Sequence, residues 1–176
     1  MLARLCLVLL VLAGPVVGQA YDVVLKDGSG NPIPIAVLTV APDGSYSLVQ
    51  QEGAFTDHFL SMRPFECLEG PQKHWCHVPY PYENRRNISE DFVDLEYDFL
   101  FIWKGATDYG IDSWNGVYYR LEQNGDHLVG TLHEIDMGLL AVPPETGDLR
   151  PISHDDLHEA EPDSHWLPML VVEPRN

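Results

Sequence analysis

The chain has 176 residues, 45% of them hydrophobic, and 10 Lys and Arg against 27 Asp and Glu give a net charge of −17 at pH 7. That length suits one domain with a single core. A field so negative repels phosphate backbones and anionic lipid, which argues against nucleic acid or an anionic membrane surface as the partner.

The first twenty positions read as an export signal. Arg4 supplies the positive start, Leu5 to Ala13 the apolar stretch and Gly18-Gln19-Ala20 a small-residue cleavage site, so residues 1–20 are expected to leave and 21–176 to form a single β-rich domain. Pro15 stands where a lipoprotein signal needs cysteine, and Gly14-Pro15 stops the apolar run short of a membrane span. Cys6 departs with the leader. The expected location is periplasmic or secreted.

Tyr21 to Lys26 is strand-like and ends at the turn formers Asp27-Gly28-Ser29-Gly30-Asn31-Pro32. Ile33 to Ala41 is β-branched and apolar on both parities, the pattern of a strand covered on both faces. Pro42-Asp43-Gly44 turns it back as Ser45 to Gln51, and Ala54 to Met62 is expected to be a further strand.

Glu66 to Glu83 holds Cys67 and Cys76, with Gly70-Pro71 between them to reverse the chain. Export makes a disulfide the expected state of two such cysteines. A c-type haem needs Cys-x-x-Cys-His, which this spacing is not, and zinc sites bring cysteines in closer pairs. Trp75, His77 and Pro79-Tyr80-Pro81-Tyr82 are then expected to form a rigid exposed ledge beside a closed loop.

After the loop, Asn87 or Ser89 is positioned to cap a short helix carrying Phe92 and Leu95 on one face, and Phe99 to Trp103 is an aromatic core strand. Lys104 to Trp114 reads as loop. Val117 to Leu121 and His127 to Ile135 form a hairpin about Asn124-Gly125, the pair that suits a turn with φ > 0 at both central positions. Gly130 marks a bulge or a close backbone approach. Asn87-Ile88-Ser89 also matches the N-glycosylation acceptor pattern.

In the tail, Ser153 is expected to start a one- or two-turn helix through Ala160, and Trp166 to Val172, broken by Pro168, to dock as an edge strand. The expected fold is therefore mostly β: a small antiparallel β-barrel or sandwich of hairpins plus a meander, with one or two short helices. The Trp114-x-Gly116-x-Tyr118 start and tight hairpin are similar in architecture to small extracellular β-barrels, lipocalin-like ones among them.

Three chemistries are legible. Trp114, Tyr118 and Tyr109 are candidates for the rim of a ligand site in a barrel mouth. His154 and His158 share a face if their segment is helical, and His165, with Asp155 or Glu159, would complete a zinc or copper shell. A carboxylate pair for hydrolysis is a third option, which 27 acidic residues leave unlocated. There is no Gly-x-Ser-x-Gly elbow, no Ser-x-x-Lys and no His-Glu-x-x-His. The leading expectation is a non-catalytic binding or envelope-interaction module for a small ligand or an envelope protein.

Overall fold

The computed structural model describes residues 18–175 apart from Met62 and Pro162. Most of the expected leader lies outside the described residues. Eleven strands build one antiparallel sheet: β1 (Gln19–Lys26), β2 (Pro32–Val40), β3 (Tyr46–Gln50), β4 (Thr56–Phe59), β5 (Pro64–Glu69), β6 (Lys73–His77), β7 (Phe101–Gly105), β8 (Gly116–Asn124), β9 (His127–Ile135), β10 (His158–Glu159) and β11 (Met169–Pro174). One short helix, α1 (Val93–Tyr97), interrupts them. The order across the sheet is β3-β2-β1-β11-β9-β8-β7-β6-β5-β4, with β10 paired to the end of β9. The sheet curls into a half-barrel. The curl brings the edge strand β3 to β5, where Gln50 Nε2 donates to Glu66 Oε2 at 2.9 Å.

Period-two alternation divides the side chains between two cores. On β6, β7 and β8, Trp75, Phe101 and Tyr119 point into the curl, and their rings pack at centroid distances of 6.2 and 6.3 Å. Side chains from β1, β2, β9 and β11 fill the rest of that interior. Cys76, Ile102 and Tyr118 point outward into a second core, which Met137, Leu140 and Ile152 cover from the segment after β9. Tyrosine hydroxyls tether that cover: Tyr82 donates to Leu140 O at 2.7 Å, Tyr80 to Leu149 O at 2.8 Å and Tyr97 to Ile152 O at 3.2 Å.

Several expectations change here. The cysteine loop is a hairpin in which Cys67 lies directly opposite Cys76, with Cα atoms 3.9 Å apart and the disulfide crossing between strands. Its flank is no exposed ledge. Trp75 is fully buried, and Tyr80 and Tyr82 pack down because their hydroxyls reach the backbone of the covering segment. The last strand is central, between β1 and β9, because Pro168 precedes it and the missing N–H costs no ladder bond.

The turn after β8 centres on Gly125 and Asp126, since Asn124 pairs with His127. Gly125 has φ 66° and Asp126 is not in the positive-φ region, which is the II′ pattern rather than the expected one. Gly44 has φ 81°, and a Cβ there would lie 2.6 Å from Ser89 Cβ, so its hairpin requires glycine on two counts. The tail helix does not form. A single 3-10 turn, His154–Asp156, ends as Leu157 docks on the outer core, and His158–Glu159 extend along β9. The strand β1 begins at Gln19, two positions before the expected mature start.

Candidate binding cleft on the outer face

The loop from β7 to β8 exposes two aromatic side chains, Tyr109 and Trp114. It leaves β7 where Asp108 N donates to Gly105 O at 3.0 Å, turns at Gly110 with φ 84°, and re-enters through the 3-10 turn Ser113–Asn115. Asp112 starts that turn, its Oδ1 accepting from Trp114 N at 3.1 Å. The loop is thus held at both ends while its middle stands in solvent, with Tyr109 86% and Trp114 73% exposed. Ile111 turns back toward the sheet.

Between this loop and the outer core lies a cleft of about 610 Å³. Phe65 of β5 and Ile102 of β7 line it beside Val78 and Met137, and Ile111, Asp112 and Ser113 come from the loop. Arg63 lines it as well, its guanidinium over the Phe65 ring at 5.3 Å from the centroid. Phe65 and Ile102 belong to the same buried cluster as Cys67 and Cys76, so the disulfide fixes strands that carry the floor. The turn Ser113–Asn115 packs against the turn Met137–Leu140, so exposed Trp114 and Leu139 stand on neighbouring turns beside the cleft, and Tyr109 is exposed on the same loop as Trp114. A second cleft of about 300 Å³ adjoins through Arg63 and Phe65 and adds Asp57, Glu66 and His77. The chemistry of such a surface is recognition of apolar groups with charged points at the margin.

Trp114 and Tyr109 are exposed on the loop whose Ile111, Asp112 and Ser113 line this cleft, and neither side chain lines it. Tyr118 sits elsewhere. It is buried on the outward face of β8, and its hydroxyl donates to Glu96 Oε2. His154 and His158 are both exposed, the former on its 3-10 turn and the latter on β10. His165 is buried, with Nε2 2.7 Å from Glu134 Oε1 and Nδ1 3.4 Å from Lys73 Nζ, so both ring nitrogens are engaged. Among the described residues, no three or more His, Cys, Asp or Glu side chains are grouped to hold a metal ion.

The sequence reading missed the buried acids of α1. Glu96 is 2% exposed, and burial raises its carboxyl above the ordinary range while Tyr118 and Leu121 N oppose the shift. The register of β7 on β8 explains its place. Phe101 faces Val117 and Ile102 faces Gly116, and continued backward that register would set Tyr97 against Leu121. The chain is helical there, so Leu121 N–H loses its ladder partner and donates to Glu96 Oε1 at 2.6 Å instead. Asp94, two positions earlier, binds Arg150 through Nε at 2.9 Å and Nη2 at 2.7 Å, which fastens the covering segment to the helix.

Compared with protein-family models, with curated proteins and with solved structures, the chain matches none.

Proposed function

We propose that the protein is an exported, non-catalytic binding module that holds a ligand or an envelope partner in its outer-face cleft. The observation that carries this reading is an open cleft lined by Phe65, Val78, Ile102, Ile111 and Met137, beside a loop that exposes Tyr109 and Trp114, with a cross-strand disulfide under its floor. Exposed apolar groups so concentrated are a feature of interaction surfaces. Its floor holds aliphatic and aromatic side chains, with one guanidinium at the edge and Asp112 and Ser113 contributed by the loop. The export half of the proposal is supported by the leader pattern and by the disulfide, which persists in oxidising compartments. No helix among the described residues is long and apolar enough to cross a membrane.

The test is titration of the purified chain with a neutral environment-sensitive dye such as Nile red. Saturable enhancement is expected, reduced about tenfold in affinity in Tyr109→Ser/Trp114→Ser, with the unfolding midpoint unchanged. Equal dye binding by that variant would remove the cleft as the site. A turnover abolished by one histidine or carboxylate substitution would overturn the non-catalytic reading.

A further inference from the structure

The charges around the cleft narrow what can occupy it. Asp108 and Asp112 alternate with Tyr109, Ile111 and Trp114 along the loop, and all five are exposed. Neither aspartate forms an ion pair among the described residues, and Asp112 commits one oxygen to Trp114 N. At the far end, the adjoining cleft contributes Asp57 and Glu66. Arg63, between the two clefts, is the cation lining them and lies against Phe65. The whole chain adds a background of −17.

A groove with aromatic faces and carboxylates at intervals favours an occupant that is apolar and positive. Exposed indole and phenol rings attract ammonium and guanidinium groups through the ring quadrupole, and nearby carboxylates reinforce that attraction. The two contiguous clefts, about 610 and 300 Å³, are more than a small cation fills and match an extended chain lying across β5. An anionic membrane is disfavoured by the same field. We propose that this groove takes an extended segment of a partner protein that is both basic and apolar. The proposal rests on the cleft being the binding site and names its occupant.

Synthetic peptides of about twelve residues, titrated against the full chain and followed by Trp emission, test it. The set alternates Lys with Leu, Glu with Leu, or Lys with Ser. The Lys/Leu peptide is expected to bind, and either of the others about tenfold more weakly. Asp57→Asn/Asp112→Asn should weaken Lys/Leu binding about fivefold, whereas Glu122→Gln/Asp126→Asn, in the β8–β9 hairpin, should leave it unchanged. Equal affinity for the Glu/Leu peptide, or equal losses in the two variants, would overturn the proposal, since the first removes charge selectivity and the second makes the attraction diffuse.

Binding to phosphatidylcholine vesicles in preference to the peptide would overturn it in favour of a lipid surface. Self-association in sedimentation that blocks the peptide would do so in favour of a second copy of the chain. The dye titration on the same sample separates the two levels. Dye binding at the cleft without peptide binding sinks the occupant alone, and loss of both sinks the cleft.

Discussion

Glu96 shows how one buried carboxylate stands in for a missing stretch of ladder. Its two oxygens meet Leu121 N and the Tyr118 hydroxyl, so Glu96→Ala strands two buried donors and should cost about 3 kcal/mol in urea unfolding. Glu96→Gln keeps the acceptor for Leu121 N and removes the desolvated charge. Because burial raises the carboxyl, folding binds this proton more tightly than the unfolded chain does. The stability it contributes is complete below the unfolded pKa of about 4.5 and is lost as pH rises through the folded value. The advantage of Glu96→Gln over the natural chain should therefore grow between pH 4 and pH 7; a constant difference would show that the charge is solvated. No pattern in the sequence announces this role, since the helix reading rests on Phe92 and Leu95 on one face and gives Asp94 and Glu96 no partner. The expectation that placed Tyr118 on a rim met the same obstacle, for alternation shows that Tyr118 and Tyr119 face opposite ways but not that both faces of β8 are covered. His165 is the complementary case at this scale. With both nitrogens engaged, it leaves the exposed His154 and His158 without a third partner, so zinc titration should give the same weak isotherm for the natural chain and for His154→Ala/His158→Ala. A tenfold or greater drop in the variant would restore the metal reading.

The elements were legible where turn residues and period-two patterns agree, as in the hairpins β2–β3 and β8–β9 and in the pairing of Cys67 with Cys76. What failed were their neighbours and covers. A strand from Trp166 to Val172 with Pro168 inside it was expected at an edge, yet β11 starts at Met169, beyond that proline, and pairs on both sides. Pro79 to Tyr82 was expected outside, and Pro79 and Pro81 are exposed, but hydroxyl bonds to residues some sixty positions ahead draw Tyr80 and Tyr82 in, and no local signal carries such a partner. Two measurements bear on this scale. Cys67→Ala/Cys76→Ala should lower stability by about 2.5–3 kcal/mol, the loop-closure entropy of so short a loop, and should weaken dye binding through the cleft floor. Loss of stability without loss of dye binding would show that the floor does not depend on the bridge. A chain beginning at Tyr21 also loses the Gln19–Val40 and Ala20–Thr39 pairs and the bond from Arg175 N to Ala20 O. It should unfold about 1 kcal/mol more easily than one beginning at Gln19, and equal urea midpoints would show that β1 needs neither residue.

At the scale of the whole molecule, two opposed forces set the response to acid. Burial lowers the pKa of His74, His77 and His165, although Asp98 O beside His77 and Glu134 beside His165 act the other way. Each depressed imidazole contributes stability that is present above its unfolded pKa of about 6.5 and lost as pH falls toward the folded value. Net charge works in the opposite direction, because protonation between pH 7.5 and 5.5 relieves the self-repulsion of a chain at −17. Salt separates the two. At about 1 M sodium chloride the Debye length is near 3 Å, so long-range repulsion is screened while the buried imidazoles keep their desolvation cost. The urea midpoint at pH 7.5 should rise on adding salt, and at 1 M salt it should fall as pH drops from 7.5 to 5.5, less steeply in His77→Gln/His165→Gln. Stability that rises on acidification even at high salt would mean that the histidines are not desolvated in the fold, and that the curl is looser than the packing of Phe101 on His77 and Trp75 on His165 requires.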